Sequence, residues 1–250
     1  MGFEVRADAY GRFMGRYSFP LGVEFAAHAG LAPGLRALDV GCGTGALTTV
    51  LVERLGTGSV VAVDPSTAFV EAIRSRLPEI DVRQASAERL PFPGGSFDVT
   101  LAQLVVHFMT DPVAGLREMG RVTRAGGLVG ACVWDHAGGR GPLTTFWQAV
   151  RSLDPAAAGE SDLAGVREGR LAELFTAAGL RDVESGVLTV RAEFADFDDW
   201  WEPFTLGVGP AGDYVTGLGA QQRAALRERC ATLFTRRVTA SAWVALGRAV

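Results

Sequence analysis

Asp39 and three glycines on alternate positions, Gly41, Gly43 and Gly45, stand together in Leu38-Asp39-Val40-Gly41-Cys42-Gly43-Thr44-Gly45-Ala46. The run from Leu35 to Val40 reads as a short buried strand. Beyond the glycines, Leu47, Val50, Leu51 and Leu55 recur at helical spacing, with Gly56 where a C-cap belongs. Strand, glycine turn and helix open an α/β nucleotide-binding unit. The glycines let a ligand approach the backbone, and the helix N-terminus offers free N–H groups. Gly41-x-Gly43-x-x-Ala46 also satisfies the loose dinucleotide fingerprint. Asp39 separates the readings: an anion there repels a pyrophosphate but suits a ligand bearing an amino group or a sulfonium. A glycine-rich turn without a ligand is the plainer alternative.

Other residues capable of chemistry fall at strand ends, where open α/β sheets bind ligands. Asp64 follows the apolar run Val60–Val63, about twenty residues beyond the glycines, at the place of a ribose-binding carboxylate. Ser66, beside it on the ligand side, also N-caps a helix carrying Phe69, Val70, Ile73 and Leu77. Gln103 follows a fourth strand, Phe97–Ala102. Trp134, Asp135 and His136 end a fifth, Leu128–Trp134, and in parallel order Asp135 and His136 point to the ligand face. His136 and His107 are candidate general bases. His107 reads equally as a half-buried histidine paired with a backbone carbonyl.

The arrangement Asp39-x-Gly41-x-Gly43-x-Gly45 resembles the first motif, D/E-x-G-x-G-x-G, of the class I S-adenosylmethionine-dependent methyltransferases. Leu104-Val105-Val106-His107-Phe108-Met109 and Arg121-Val122-x-Arg124-Ala125-Gly126-Gly127 are similar to stretches of the ubiquinone- and menaquinone-biosynthesis group, with Ala125 in a proline's place. The resemblance is strong over residues 35–135 and weak near 183 and 241. It implies S-adenosylmethionine as cofactor, with the glycines admitting its methionine part, Asp39 near its amino end and Asp64 on its ribose. Ser86 then stands where relatives carry the aspartate that meets the adenine amine, and the Ala87 backbone meets a ring nitrogen. Tyr10-x-x-Phe13-Met14-x-Arg16-Tyr17 looks like a lid over the cofactor, with Tyr10 in contact and Arg16 a partner for its carboxylate. The implied reaction is in-line methyl transfer to an O, N or C nucleophile of a small-molecule acceptor.

Composition narrows the alternatives. The 250 residues are 48% hydrophobic and 21% charged, enough for a substantial core, and the net charge is −4 with no basic run. That balance, and the absence of Asn/Asp-Pro-Pro-Tyr after the fourth strand, argue against a nucleic-acid partner. No apolar stretch is long enough to span a bilayer. Residues 1–6 lack a signal-peptide core, and cysteines 42, 132 and 230 suggest neither a disulfide framework nor a metal site, so a reducing cytoplasm is expected. Every basic residue is arginine, which excludes lysine Schiff-base, P-loop and Tyr-x-x-x-Lys chemistry. A nicotinamide dehydrogenase is thereby disfavoured; a non-catalytic S-adenosylmethionine-binding module stays open. The oligomeric state is not legible.

These residues must be held by one Rossmann-like, doubly wound α/β sheet. Seven strands are expected, mostly parallel, the last antiparallel as the resemblance implies, with helical cap insertions. The whole chain, 1–250, reads as a single domain: N-terminal lid helices in 1–34, a cofactor-binding half in 35–136, and a cap insertion in 192–236. The insertion's aromatics, Trp201 and Tyr214 above all, are expected with Trp134 to line the acceptor pocket.

Overall fold

Runs of four to seven mostly apolar residues between turns make the inner strands, and their burial on both faces is what a parallel sheet with helices on each side requires. The computed structural model describes residues 7–250; residues 1–6, on which the expectation about a leader falls, lie outside the described residues. The chain runs α1 (Ala7–His28), β1 (Ala37–Val40), α2 (Ala46–Leu55), β2 (Val60–Asp64), α3 (Thr67–Arg76), β3 (Asp81–Gln84) and β4 (Phe97–Gln103). It continues through α4 (Pro112–Val122), β5 (Thr123–Trp134), α5 (Thr144–Leu153), α6 (Arg170–Ala177) and β6 (Arg181–Glu193). Three helices, α7 (Phe197–Trp201), α8 (Gly209–Gly217) and α9 (Ala220–Leu233), precede β7 (Arg237–Arg248).

The seven strands form one sheet in the order β3-β2-β1-β4-β5-β7-β6. The strands β1 to β5 pair in parallel, and β7 runs antiparallel to both β5 and β6. This is the expected doubly wound sheet. The order reverses between β1 and β4, and the crevice beyond their C-terminal ends is where such sheets take ligands. Gln103 closes β4 rather than following it, because its backbone still pairs with Cys132 of β5.

Two buried clusters sandwich the sheet. One joins Phe13, Met14, Tyr17, Leu21 and Phe25 of α1 to Leu47, Val50 and Leu51 of α2 and to the aromatics of α5 and α7. The other packs Leu116, Met119 and Val122 of α4 with Leu171 and Phe175 of α6. The residues of α1 recur at three- and four-residue intervals, so a single stripe anchors the helix across the sheet's open end. Among the described residues the N-terminal segment is therefore one helix, Ala7–His28, continuous through Pro20. The two long strands β6 and β7 pair from Glu193–Arg237 to Arg181–Arg248, with a register shift between Arg181 and Glu184. No helix among the described residues is long and apolar enough to cross a membrane.

Candidate functional site

The glycine loop is built by tying its backbone to the end of β2. Gly41 and Cys42 both donate to the Val63 carbonyl, at 2.8 and 3.0 Å, and Gly45 donates back to Cys42. Gly41 has φ of +71°, and a β-carbon there would run into the Val105 side chain, so both conformation and space demand glycine. Gly43 has φ of +51° with no atom within 4 Å of its missing β-carbon. Asp64 completes the loop. Its Oδ2 accepts from the Gly43 N–H and its Oδ1 from the Ser66 N–H, both at 2.8 Å.

An open cleft of about 460 Å³ lies over this loop. Gly41, Gly43 and Asp64 form its floor, with Tyr10 and Phe69 on one side. Ser86, Ala87, Gln103 and Met109 also line it. Tyr10 meets Phe69 edge-on at 5.6 Å, and burial, helped by the Asp64 carboxylate, pushes its hydroxyl up to about 12. Asp64 is 5% exposed, and burial raises its pKa against the pull of its two N–H donors. Each of its oxygens keeps a lone pair for a further donor.

A narrow recess deepens the cleft beneath α1, lined by Ser18, Asp39, Gly41, Thr44 and Gln103. Asp39 is 1% exposed and accepts from the Thr48 hydroxyl at 2.6 Å. Burial lifts its pKa to about 7 despite that bond, and Asp64 adds to the rise. Gln103 donates its amide to the Ser18 carbonyl at 2.7 Å, leaving its Oε1 and the Ser18 Oγ buried without hydrogen-bond partners among the described residues. Asp39, Ser18 and Gln103 thus bring side-chain oxygens to the lining of one small recess, which suits a cationic amino group.

A second, much smaller cavity, about 40 Å³, shares Tyr10, Leu104 and Phe108 with the cleft. Phe13, Met14, Trp134, Leu143 and residues 208–211 give it apolar walls, and its polar groups are His107, His136 and Glu160. The two imidazoles lie 6.1 Å apart. Burial, and for His107 the neighbouring His136, holds them down to about 3 and about 4, so both rings are neutral at ordinary pH. His107 is buried, not half-buried, and its Nδ1 has no partner among the described residues; nor has the Trp134 indole N–H. At the boundary of both cavities sits Leu104, a branched residue at φ of +61° held by its N–H to the Cys132 carbonyl.

Several expectations are corrected. Arg16 faces away from the cleft, gripping Asp199 and the Glu193 carbonyl and lying over the Phe194 ring. Its partner carboxylate comes from the protein. Gly45 is covered by the Arg76 guanidinium, which donates to the Thr44 carbonyl at 2.6 Å, so it shapes the loop without reaching the cleft. Ser66 caps α3 by accepting from Phe69 and does not line the cleft. Asp135 turns back to pair with Arg140 and the Gly138 N–H, leaving His136 alone to face the cavity. Trp201 packs on Phe197 and Phe204, and Tyr214 on Phe146 and Trp147; neither lines the cavity. Aromatic spacing marked a packed layer, while the insertion reaches the cavity through the small residues Val208 to Ala211. Ser18, Leu104 and Glu160 also line these spaces, and a serine, a leucine and a lone glutamate carry no spacing signal in the sequence.

Residues 38–130 match the family described as a methyltransferase domain. A stretch of 110 residues is 41% identical to the ubiquinone/menaquinone biosynthesis C-methyltransferase UbiE of Stenotrophomonas maltophilia, covering 41% of this chain and 44% of that protein. The match thus spans less than half of the relative. A solved methyltransferase of Thermotoga maritima, described as a possible histamine N-methyltransferase, superposes with a TM-score of 0.60 at 18% identity over 97% of this chain and 95% of its own. The YcgJ protein of Bacillus subtilis gives 0.59 at 20%, covering 93% and 97%. These two establish the shared fold. Residues 38–130, which carry the glycine loop and the acidic strand ends, thus match a methyltransferase domain, and the same region is the part of the chain similar to UbiE.

Proposed function

We propose that this chain transfers a methyl group from S-adenosylmethionine to a small-molecule acceptor, and that the two cavities meeting at Tyr10, Leu104 and Phe108 hold donor and acceptor. The observation that carries the reading is their contrast: one is lined by the glycine loop and the Asp64 carboxylate, the other by apolar side chains with His107, His136 and Glu160 among them. The cofactor fits the residues present. The recess of Asp39, Gln103 and Ser18 offers acceptors to its amino group, Asp64 offers free lone pairs to a ribose diol, and Ser86 with the Ala87 backbone stands further along for the adenine.

When bound, the cofactor supplies a methyl already activated on a positive sulfur. The protein's work is alignment and exclusion of water. Tyr10 and Leu104 form the partition between the cavities, and Phe13, Met14 and Trp134 keep the acceptor side dry. Neutral His107 and His136, and the Trp134 N–H, orient a polar group on an otherwise apolar acceptor. We read α1 as a lid and the helices between β6 and β7 as a cap within one domain. The apolar wall and the net charge of −4 favour a small molecule over nucleic acid. The buried free thiols of Cys42, Cys132 and Cys230 suit a reducing cytoplasm.

Calorimetry with S-adenosylhomocysteine and with NAD tests the reading directly. Micromolar binding of the first and none of the second is expected; the reverse would sink it. A structure with S-adenosylhomocysteine would then show whether the sulfur points at the His107–His136 cavity.

A further inference from the structure

We propose that Glu160 is the base that takes the proton from the methyl acceptor and hands it to solvent through a separate opening on the far side of the cavity wall. The proposal rests on the methyl-transfer reading above. Glu160 lies in the chain between α5 and α6, yet is only 4% exposed, an uncommon place for a carboxylate. It lines two spaces at once. One is the apolar acceptor cavity; the other is a small recess bordered by Gly139, Thr144, Arg151 and Ser161.

Among the described residues, the carboxylate is oriented by a single bond. Trp147 Nε1 donates to Oε2 at 2.7 Å. Oε1 faces His136 Nε2 at 4.0 Å, beyond hydrogen-bond reach, and is free to accept from a ligand. Other groups near the pair are His107 behind His136, Asp135 already paired with Arg140, Tyr10 of α1 on the cavity rim, and Arg151 of α5 across the recess. Burial brings Glu160 up to about 7 while both histidines stay neutral and weakly basic, so the carboxylate is the group whose proton affinity matches neutral pH.

The step balances without another reactant. A lone pair on the acceptor atom bonds the methyl carbon, the carbon–sulfur pair stays on sulfur, and the acceptor's X–H pair stays on X. The proton moves to Oε1, and later to water in the recess. The acceptor must therefore present an ionisable X–H group on an apolar body.

Glu160→Gln tests this cleanly because the Trp147 indole can only donate. The amide oxygen must stay on Trp147, which turns the NH₂ toward the cavity, so the variant donates where the parent accepts. The probes are 2-naphthol and its methyl ether, titrated by calorimetry into protein saturated with S-adenosylhomocysteine. The parent should bind the naphthol at least tenfold tighter than the ether, with the preference growing as pH rises through about 7, where the carboxyl ionises. In Glu160→Gln the preference should fall within threefold or reverse, and lose its pH dependence, while S-adenosylhomocysteine affinity stays within twofold. Equal binding of the two probes to the parent, no binding of either, or a preference surviving in Glu160→Gln would each overturn the assignment. Failure of the parent to bind S-adenosylhomocysteine would instead overturn the methyl-transfer reading.

Discussion

Asp64 Oδ2 accepts the backbone N–H of Gly43 at 2.8 Å, so the acidic end of β2 and the glycine loop after β1 are one unit. The parallel register that sets Val40 beside Val63 brings them together. Its second oxygen holds Ser66 and so the entry to α3.

Asp64→Ala should therefore weaken S-adenosylhomocysteine binding by about 1.5–3 kcal/mol, the loss of a charged hydrogen-bond acceptor, and lower stability by freeing two N–H groups. Asp64→Asn should retain part of the stability and little of the affinity. Calorimetry and thermal melts separate the two effects; a folded Asp64→Ala protein with unchanged affinity would remove the residue from the site.

The two loop glycines should differ. Gly41→Ala adds a collision with Val105 to a left-handed backbone and should reduce both stability and affinity. Gly43→Ala meets open space, so its stability loss should stay near the ~1–2 kcal/mol of a left-handed alanine. The missing β-carbon faces the cleft, however, and cofactor affinity should drop at least tenfold. Equal melting temperatures for the two variants would contradict this.

Asp39 gives a pH signature. Its folded pKa, about 7, lies above the ordinary carboxylate value because burial disfavours the anion. The folded state then holds the proton more tightly than the unfolded chain between about pH 4 and 7, so this group's contribution to stability declines across that window as pH rises. Asp39→Asn lacks that decline. Without cofactor it should melt increasingly above the parent as pH approaches 8, by an amount on the order of a few kcal/mol at most. It should also bind S-adenosylhomocysteine more weakly, having lost the anion that meets the amino group. A melting difference independent of pH would show that Asp39 is not the titrating group.

Arg16→Ala should leave S-adenosylhomocysteine affinity within twofold, because the guanidinium is engaged with Asp199 and Glu193. The pair is partly exposed, at 44% and 26%, so the coupling in an Arg16→Ala, Asp199→Ala double-mutant cycle should stay below about 1 kcal/mol. A large affinity loss in Arg16→Ala alone would return the residue to the cofactor.

Ala211 is fully buried and borders the apolar cavity, so Ala211→Leu should fill acceptor space and block 2-naphthol while sparing S-adenosylhomocysteine. Trp201→Ala and Tyr214→Ala should instead act as cap-core truncations, lowering stability by up to about 3–5 kcal/mol for the buried tryptophan. If naphthol binding vanished in a fully folded Trp201→Ala protein and survived in Ala211→Leu, the wall would be assigned wrongly.

Local pattern was enough to determine the parts of this protein whose physics is local. The Asp39 to Gly45 stretch specifies a strand and a turn that only glycine can make, and Ser66 marks a helix start by its side-chain cap. The doubly wound sheet follows from strands and helices alternating along the chain. What only the tertiary structure decided depends on elements far apart in sequence. Arg16 looked like a cofactor ligand until Asp199, on α7, supplied its charge partner. The aromatics of 197–214 looked like pocket walls until they stacked on one another, because large rings gain most where they are wholly buried. Glu160 carried no signal in a stretch of small residues. It became a candidate base only when Trp147 and His136 met it across the wall of a cavity, since burial in a low dielectric, against the pull of the Trp147 N–H, raises a carboxylate's proton affinity toward neutral.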